Sequence, residues 1–149
     1  MAIVSAEKFV QAARDNGYAV GGFNTNNLEW TQAILRAAEA KKAPVLIQTS
    51  MGAAKYMGGY KVARNLIANL VESMGITVPV AIHLDHGHYE DALECIQAGY
   101  TSVMFDGSGT VRPAANQSPD PTSIAGSGRC VWQSWLVRFA GRRCSWKIP

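Results

Sequence analysis

Cysteine is scarce: 149 residues contain Cys95, Cys130 and Cys144, with no CxxC pair. That excludes a disulfide framework and a cysteine-built zinc ribbon, and it fits a reducing, cytoplasmic setting. Long apolar runs are missing too, since none approaches the roughly 18–20 residues that span a bilayer. The start, Met1-Ala2-Ile3-Val4-Ser5-Ala6-Glu7-Lys8, has no basic segment followed by an apolar stretch, so no secretory leader is expected. Neither GxGxxG nor a Walker-type loop occurs, which removes the two common glycine-rich phosphate cradles. Histidine is confined to one place: all three lie in His83-Leu84-Asp85-His86-Gly87-His88.

What is present is a globular composition, 48% hydrophobic and 17% charged, enough for one domain with a core. The net charge of +3 is unevenly placed. Residues 1–108 hold eight Lys/Arg against ten Asp/Glu (−2), whereas residues 109–149 hold six Lys/Arg against only Asp120 (+5). A basic tail can signal nucleic-acid or membrane binding, but the change of texture described below argues against both partners.

Up to residue 108, helical and strand patterns alternate. Residues 6–15 read as a helix with Ser5 as N-cap and Asn16-Gly17 as its stop. Residues 18–23 read as a strand, and 27–40 as a helix with Leu28, Trp30, Ala33, Ile34, Ala37 and Ala38 at helical spacing. Residues 44–49 form the next strand. A helix over 60–74 follows, with Val62, Leu66, Ile67, Leu70 and Val71 on one side and Gly75 at its end. Then come a strand over 78–84, a helix over 89–98 closed by Gly99, and a strand over 101–106. Continuously apolar strands alternating with helices imply a parallel sheet covered by helices. A doubly wound open sheet and part of a (β/α)₈ barrel both fit. The unit spacing matches the barrel, since about 250 residues make eight units.

Every apolar run stops on polar side chains: Asn24; Gln48, Thr49 and Ser50; Asp85 and His86; Asp106, Gly107 and Ser108. In a parallel sheet these converge on one edge, where β/α proteins do chemistry. An imidazole beside a carboxylate there points to a metal-assisted enzyme site. Adjacent side chains on an extended strand diverge, so Asp85 and His86 need a bend to share a pocket, and Gly87 is the residue expected to supply it. His83 is expected to pack or hydrogen-bond inside, and His88 to lie on the surface. Met51-Gly52-Ala53-Ala54 reads as small residues whose backbone amides could meet a phosphate.

From Gly109 the pattern changes. Residues 109–129 are rich in Ser, Pro, Gly and Thr and read as loop or disorder. Residues 130–149 carry Trp132, Trp135 and Trp146 among Arg138, Arg142 and Arg143, with the spacing of a short amphipathic helix. The stretch reads as foreign to what precedes it, the product of a shifted reading frame or a fusion. Two regions are therefore expected: 1–108 as a partial barrel and 109–149 as a loosely packed or disordered tail.

Residues 1–108 resemble the N-terminal part of the class II fructose-1,6-bisphosphate aldolases. The likeness is carried by Tyr18-Ala19-Val20-Gly21-Gly22-Phe23-Asn24, by residues 26–35 and 43–50, by Val78-Pro79-Val80-Ala81-Ile82-His83-Leu84-Asp85-His86-Gly87 and by residues 101–108. It implies an α/β fold made of the first four β/α units of a TIM (β/α)₈ barrel, left incomplete. It implies a zinc-dependent, cytoplasmic, glycolytic lyase that cleaves fructose-1,6-bisphosphate reversibly into glyceraldehyde 3-phosphate and dihydroxyacetone phosphate, working as a homodimer or tetramer. Asp85 is then the general acid/base at the C4 hydroxyl. His86 is one of three histidine zinc ligands, and Asp106 a carboxylate that holds a second or displaced metal. Ser50 contacts substrate phosphate, and Asn24 and Gln48 line the substrate pocket.

The chain departs from that pattern after Ser108, and no histidine follows His88. The two remaining zinc histidines, the glycine loops for phosphate and the monovalent-cation site have no counterpart. The 149-residue chain is therefore expected to be inactive alone. Tagatose-1,6-bisphosphate aldolase and a non-catalytic fragment with a basic, tryptophan-rich interaction tail are the alternative readings.

Overall fold

The computed structural model describes residues 2–106 and the backbone of Val131 and Trp132. Five helices, α1 (Ala6–Asn16), α2 (Leu28–Lys41), α3 (Met51–Tyr56), α4 (Tyr60–Ser73) and α5 (Tyr89–Ala98), surround a parallel sheet. Its strands are β1 (Gly21–Asn24), β2 (Val45–Thr49), β3 (Val80–Gly87), β4 (Ser102–Phe105) and a two-residue β5 (Val131–Trp132). The expected tail helix is not what these last two residues make, since they pair in parallel with Ser102 and Val103. The remaining tail expectations lie outside the described residues.

Strand order is β1-β2-β3-β4-β5, so chain neighbours are always sheet neighbours. A doubly wound sheet reverses its order at a switch point; this one does not, and it is the barrel-type arrangement. Ladder partners such as Ile47 with Ile82 and Gln48 with His83 fix the register. Val45 and Ile47, with Val80, Ile82 and Leu84, pack in one cluster with Leu35, Ile67 and Val71 of the helices. The intervening Leu46 and Ala81 join Ala6 and Phe9 of α1 in a second cluster. With period-two alternation, Gln48, His83 and Asp85 share the face of Leu46 and Ala81. α1 closes the start of that face, and the polar residues crown its other end.

The helix ends follow local chemistry. Ser5 Oγ accepts from the Glu7 amide at 3.3 Å, and Asn27 Oδ1 from the Trp30 amide at 2.8 Å, each satisfying an otherwise orphaned donor. One apolar face differs from expectation, and a second differs only at Val62. α2 buries Thr31, Leu35 and Ala38 while Leu28 and Trp30 are exposed, and on α4 Val62 is exposed while Ala63 and Ile67 are buried. Amphipathic spacing does not distinguish faces one residue apart around the helix when Ala and Thr can fill the buried one.

Ile47 is fully buried between the sheet and the helices. Ile47→Ala is expected to cost about 2–5 kcal/mol, read from the midpoint of urea unfolding of the whole chain. Acid should also destabilise it. Glu39, near the end of α2, accepts hydrogen bonds from Lys42 Nζ, from Thr77 Oγ1 and N (2.7 and 2.8 Å) and from the Val78 amide (3.2 Å). The Lys42 ammonium first, then Thr77, hold its carboxyl down at about 2. A depressed carboxyl contributes stability above its ordinary value of 4.5 that is lost as pH falls toward 2. Glu39→Gln should flatten that part of a urea-midpoint-against-pH curve.

Candidate active site

The ladder between β3 and β4 runs regularly through His83–Ser102 and Leu84–Val103, then resumes only at Gly87–Phe105. Three steps on β3 face two on β4, so β3 carries one extra residue, a β-bulge. Asp85 and His86 are the residues inside it. His86 takes φ +42°, a left-handed conformation that non-glycine residues adopt at a cost of about 1–3 kcal/mol. The bend expected at Gly87 therefore occurs one residue earlier, at His86. Gly87 serves a different purpose: a Cβ there would lie 2.6 Å from Leu84 Cδ2 and 3.0 Å from Asp91 Cβ. The position demands the smallest residue for space. Gly87→Ala should destabilise the chain by about 1–3 kcal/mol through overpacking, measurable in the same urea titration.

The bulge places a half-buried carboxylate beside an exposed imidazole. Asn24 Nδ2, at the end of β1, donates to Asp85 Oδ2 at 2.7 Å. β2 lies between these strands, so the bond crosses the mouth over one intervening strand. On β2, the Gln48 amide lies over Gly22, where a Cβ would meet Gln48 Cδ and Oε1 at 3.0 Å. Ser50 Oγ accepts from the Ala53 amide at 3.2 Å and caps α3. Residues 51–54, read from sequence only as small residues whose backbone amides could meet a phosphate, thus form the first turn of that helix. The Ser50 hydroxyl proton is still available to a ligand. Asp106 follows β4, and its amide donates to the Gly87 carbonyl at 2.9 Å, closing the upper side of the bulge.

His83 lies beneath this rim. It is 1% exposed, and Nδ1 is 2.8 Å from Ser102 Oγ on β4. It is an internal hydrogen-bonded histidine, as expected. Burial pushes its pKa down to about 4, with the Asp85 charge opposing in part. A native histidine that stays neutral while its unfolded counterpart protonates contributes stability that is lost as pH falls from 6.5 toward 4. His83→Asn should remove this acid sensitivity, up to about 3 kcal/mol, from the urea-midpoint curve. His88 is exposed, and its amide donates to Asp91 Oδ2 at 3.0 Å at the start of α5.

Two features were missed from sequence. Ser102 gave no signal as a partner of His83, because a serine after a threonine in a strand is unremarkable until the register is known. The extra residue in β3 was legible only as the need for a bend. Asn24, Gln48 and Asp85 are all at the same end of the sheet. Among the described residues, however, no three His, Cys, Asp or Glu side chains come together as a metal-holding group.

A family model described as "Fructose-bisphosphate aldolase class-II" matches residues 4–117. The chain belongs to that family. It is 97% identical over 108 residues to a fructose-bisphosphate aldolase of Streptococcus pneumoniae serotype 4, covering 72% of this chain and 37% of the relative. Against the fructose-bisphosphate aldolase of Geobacillus stearothermophilus the identity is 56% over 109 residues, covering 72% and 38%. Among solved structures, the YdjI aldolase of Escherichia coli K12 superposes with a TM-score of 0.64 at 27% identity, covering 71% of this chain and 41% of that one. A putative fructose-1,6-bisphosphate aldolase from Coccidioides immitis gives 0.60 at 29% identity, covering 69% and 36%. The chain thus spans well under half the length of the class II aldolases it matches. The fold is the TIM barrel of these neighbours, represented here by its first β/α units. No helix among the described residues is long and apolar enough to cross a membrane.

Proposed function

We propose that residues 1–108 carry the proton-transfer side of a class II aldolase site acting on fructose-1,6-bisphosphate. The observation that carries this reading is the Asp85 carboxylate, bulged out at the sheet's functional edge and held by Asn24 Nδ2 at 2.7 Å. Asn24 occupies one carboxylate oxygen, Oδ2, and Oδ1 is the atom we assign to the substrate. It accepts the proton of the C4 hydroxyl as the C3–C4 bond breaks. C4 becomes the aldehyde carbon of glyceraldehyde 3-phosphate, and the released electron pair passes through C3 onto the C2 carbonyl oxygen as an enediolate. Protonation at C3 then gives dihydroxyacetone phosphate. A proton acceptor placed within one hydrogen bond of the reacting hydroxyl is what general-base catalysis requires. We assign Ser50 to a substrate phosphate, and Gln48 with Asn24 to the pocket wall.

Class II aldolases are generally metal-dependent, and we assign His86 and Asp106 toward that metal. The described donors do not fit a zinc centre by themselves, because one imidazole without two further ligands nearby falls short of the three protein ligands a catalytic zinc needs. No step is therefore assigned to zinc or to a monovalent cation on this chain. A cytoplasmic, glycolytic setting belongs to the same reading.

The test is a hybrid in which these 108 residues replace the matching segment of the Streptococcus pneumoniae relative. Cleavage of fructose-1,6-bisphosphate within about threefold of the parent is expected, since scattered substitutions away from a site are usually near neutral. A folded, metal-loaded hybrid without turnover would refute the reading.

A further inference from the structure

Something must hold the extra residue of β3 between Leu84 and Gly87. A regular ladder would continue from Leu84–Val103 by pairing Asp85 with Met104, and it would turn His86 away from the face that Asp85 shares. Period-two geometry makes this unavoidable, because a one-residue slip sends each later side chain to the opposite face. Above the bulge, Gly87 is wedged against Leu84 and Asp91, and its carbonyl is taken by the Asp106 amide. Below it, β3 and β4 are joined by more than ladder bonds. The Thr101 amide donates to the Ile82 carbonyl at 3.0 Å, and the Ile82 amide donates to Thr101 Oγ1 at 2.9 Å. One rung later comes the His83 Nδ1–Ser102 Oγ contact, between side chains that are 1% and 0% exposed.

We propose that His83 and Ser102 are positioning residues, whose buried side-chain bond pins the β3–β4 register below the bulge and so keeps Asp85 and His86 on a common rim. Their functional weight rests on the aldolase reading of those two residues; the bracing itself does not. Any other register separates the imidazole from the hydroxyl and takes this bond from the buried His83 ring, at about 1–3 kcal/mol. That is the same size as the cost of holding His86 at positive φ. The pair can therefore decide whether the strained bend persists or the ladder slips into regularity.

The experiment is NMR on the full 149-residue chain and its variants Ser102→Ala, His83→Leu and His83→Asn, without metal. The Cα and Cβ shifts of His86 report its positive φ, and the Asn24 side-chain amide shift reports its bond to Asp85. Ser102→Ala and His83→Leu are expected to lose both signatures while keeping the Ile82 amide protected. His83→Asn, whose amide reaches the position of Nδ1, is expected to keep both. Should His83→Leu fail to fold, the smaller Ser102→Ala carries the test. Unchanged His86 and Asn24 shifts in folded Ser102→Ala would overturn the proposal, as would equal loss in His83→Asn and His83→Leu. In the hybrid enzyme, Ser102→Ala should lower kcat by roughly 10²-fold, as small misplacement of reacting groups does, with KM nearly unchanged. If the shifts change and kcat does not, the brace stands and the roles given to Asp85 and His86 fall.

Discussion

Asp85→Asn in the hybrid aldolase is expected to lower kcat by about 10²–10⁴-fold, the usual contribution of a positioned acid/base group. KM should move far less. The substitution keeps shape and volume, and an amide at position 85 still places an oxygen where Asn24 Nδ2 donates at 2.7 Å. What is lost is the capacity to accept a proton. An unaltered cleavage rate would remove Asp85 from the chemistry. A rise in KM at constant kcat would make it a binding residue only. Asn24→Ala gives a useful contrast, because it removes the holder and leaves the base. Its deficit should be smaller and should include a change in KM, since Asn24 also lines the proposed pocket.

The 149-residue chain alone, supplied with Zn²⁺ and fructose-1,6-bisphosphate, is expected to show no cleavage above background. The reason is chemical. An enediolate carries full negative charge, and stabilising such charge is usually the largest single contribution to catalysis. The described residues offer no group of three His, Cys, Asp or Glu donors. The sequence beyond His88 holds no other histidine. The chain also spans 37% of the length of its 97%-identical relative. A coupled assay of glyceraldehyde 3-phosphate release gives the answer. Turnover near that of a full-length class II aldolase would show that the site is complete within these residues.

The parallel β/α order was legible because β2 and most of β3 are apolar on both faces and because α1 and α5 end on glycines, Gly17 and Gly99. The convergence of Asn24, Gln48 and Asp85 followed from that order alone, since parallel strands present their C-terminal ends together. What the sequence could not disclose was register. Neither the His83–Ser102 bond nor the extra residue at Asp85–His86 has a local signature, because both depend on which β4 residue faces which β3 residue. Gly87 shows the same limit. Its smallness was readable, but whether it serves a bend or a crowded contact depends on Leu84 and Asp91, which fold against it. α3 was missed because it is only six residues long and its start, Met51-Gly52-Ala53-Ala54, has no apolar periodicity to mark it until Ser50 is seen capping it. The metal assignments of His86 and Asp106 came from resemblance, and geometry among the described residues adds no third donor.

Proton transfer by Asp85 is most directly examined in a crystal structure of the Asp85→Asn hybrid, slow enough to retain intact fructose-1,6-bisphosphate. We expect the C4 hydroxyl within about 3 Å of the residue-85 side chain, the reach of a hydrogen bond, with Asn24 on that side chain's other edge. A C4 hydroxyl resting against a different side chain, with residue 85 turned away from the sugar, would contradict the assignment.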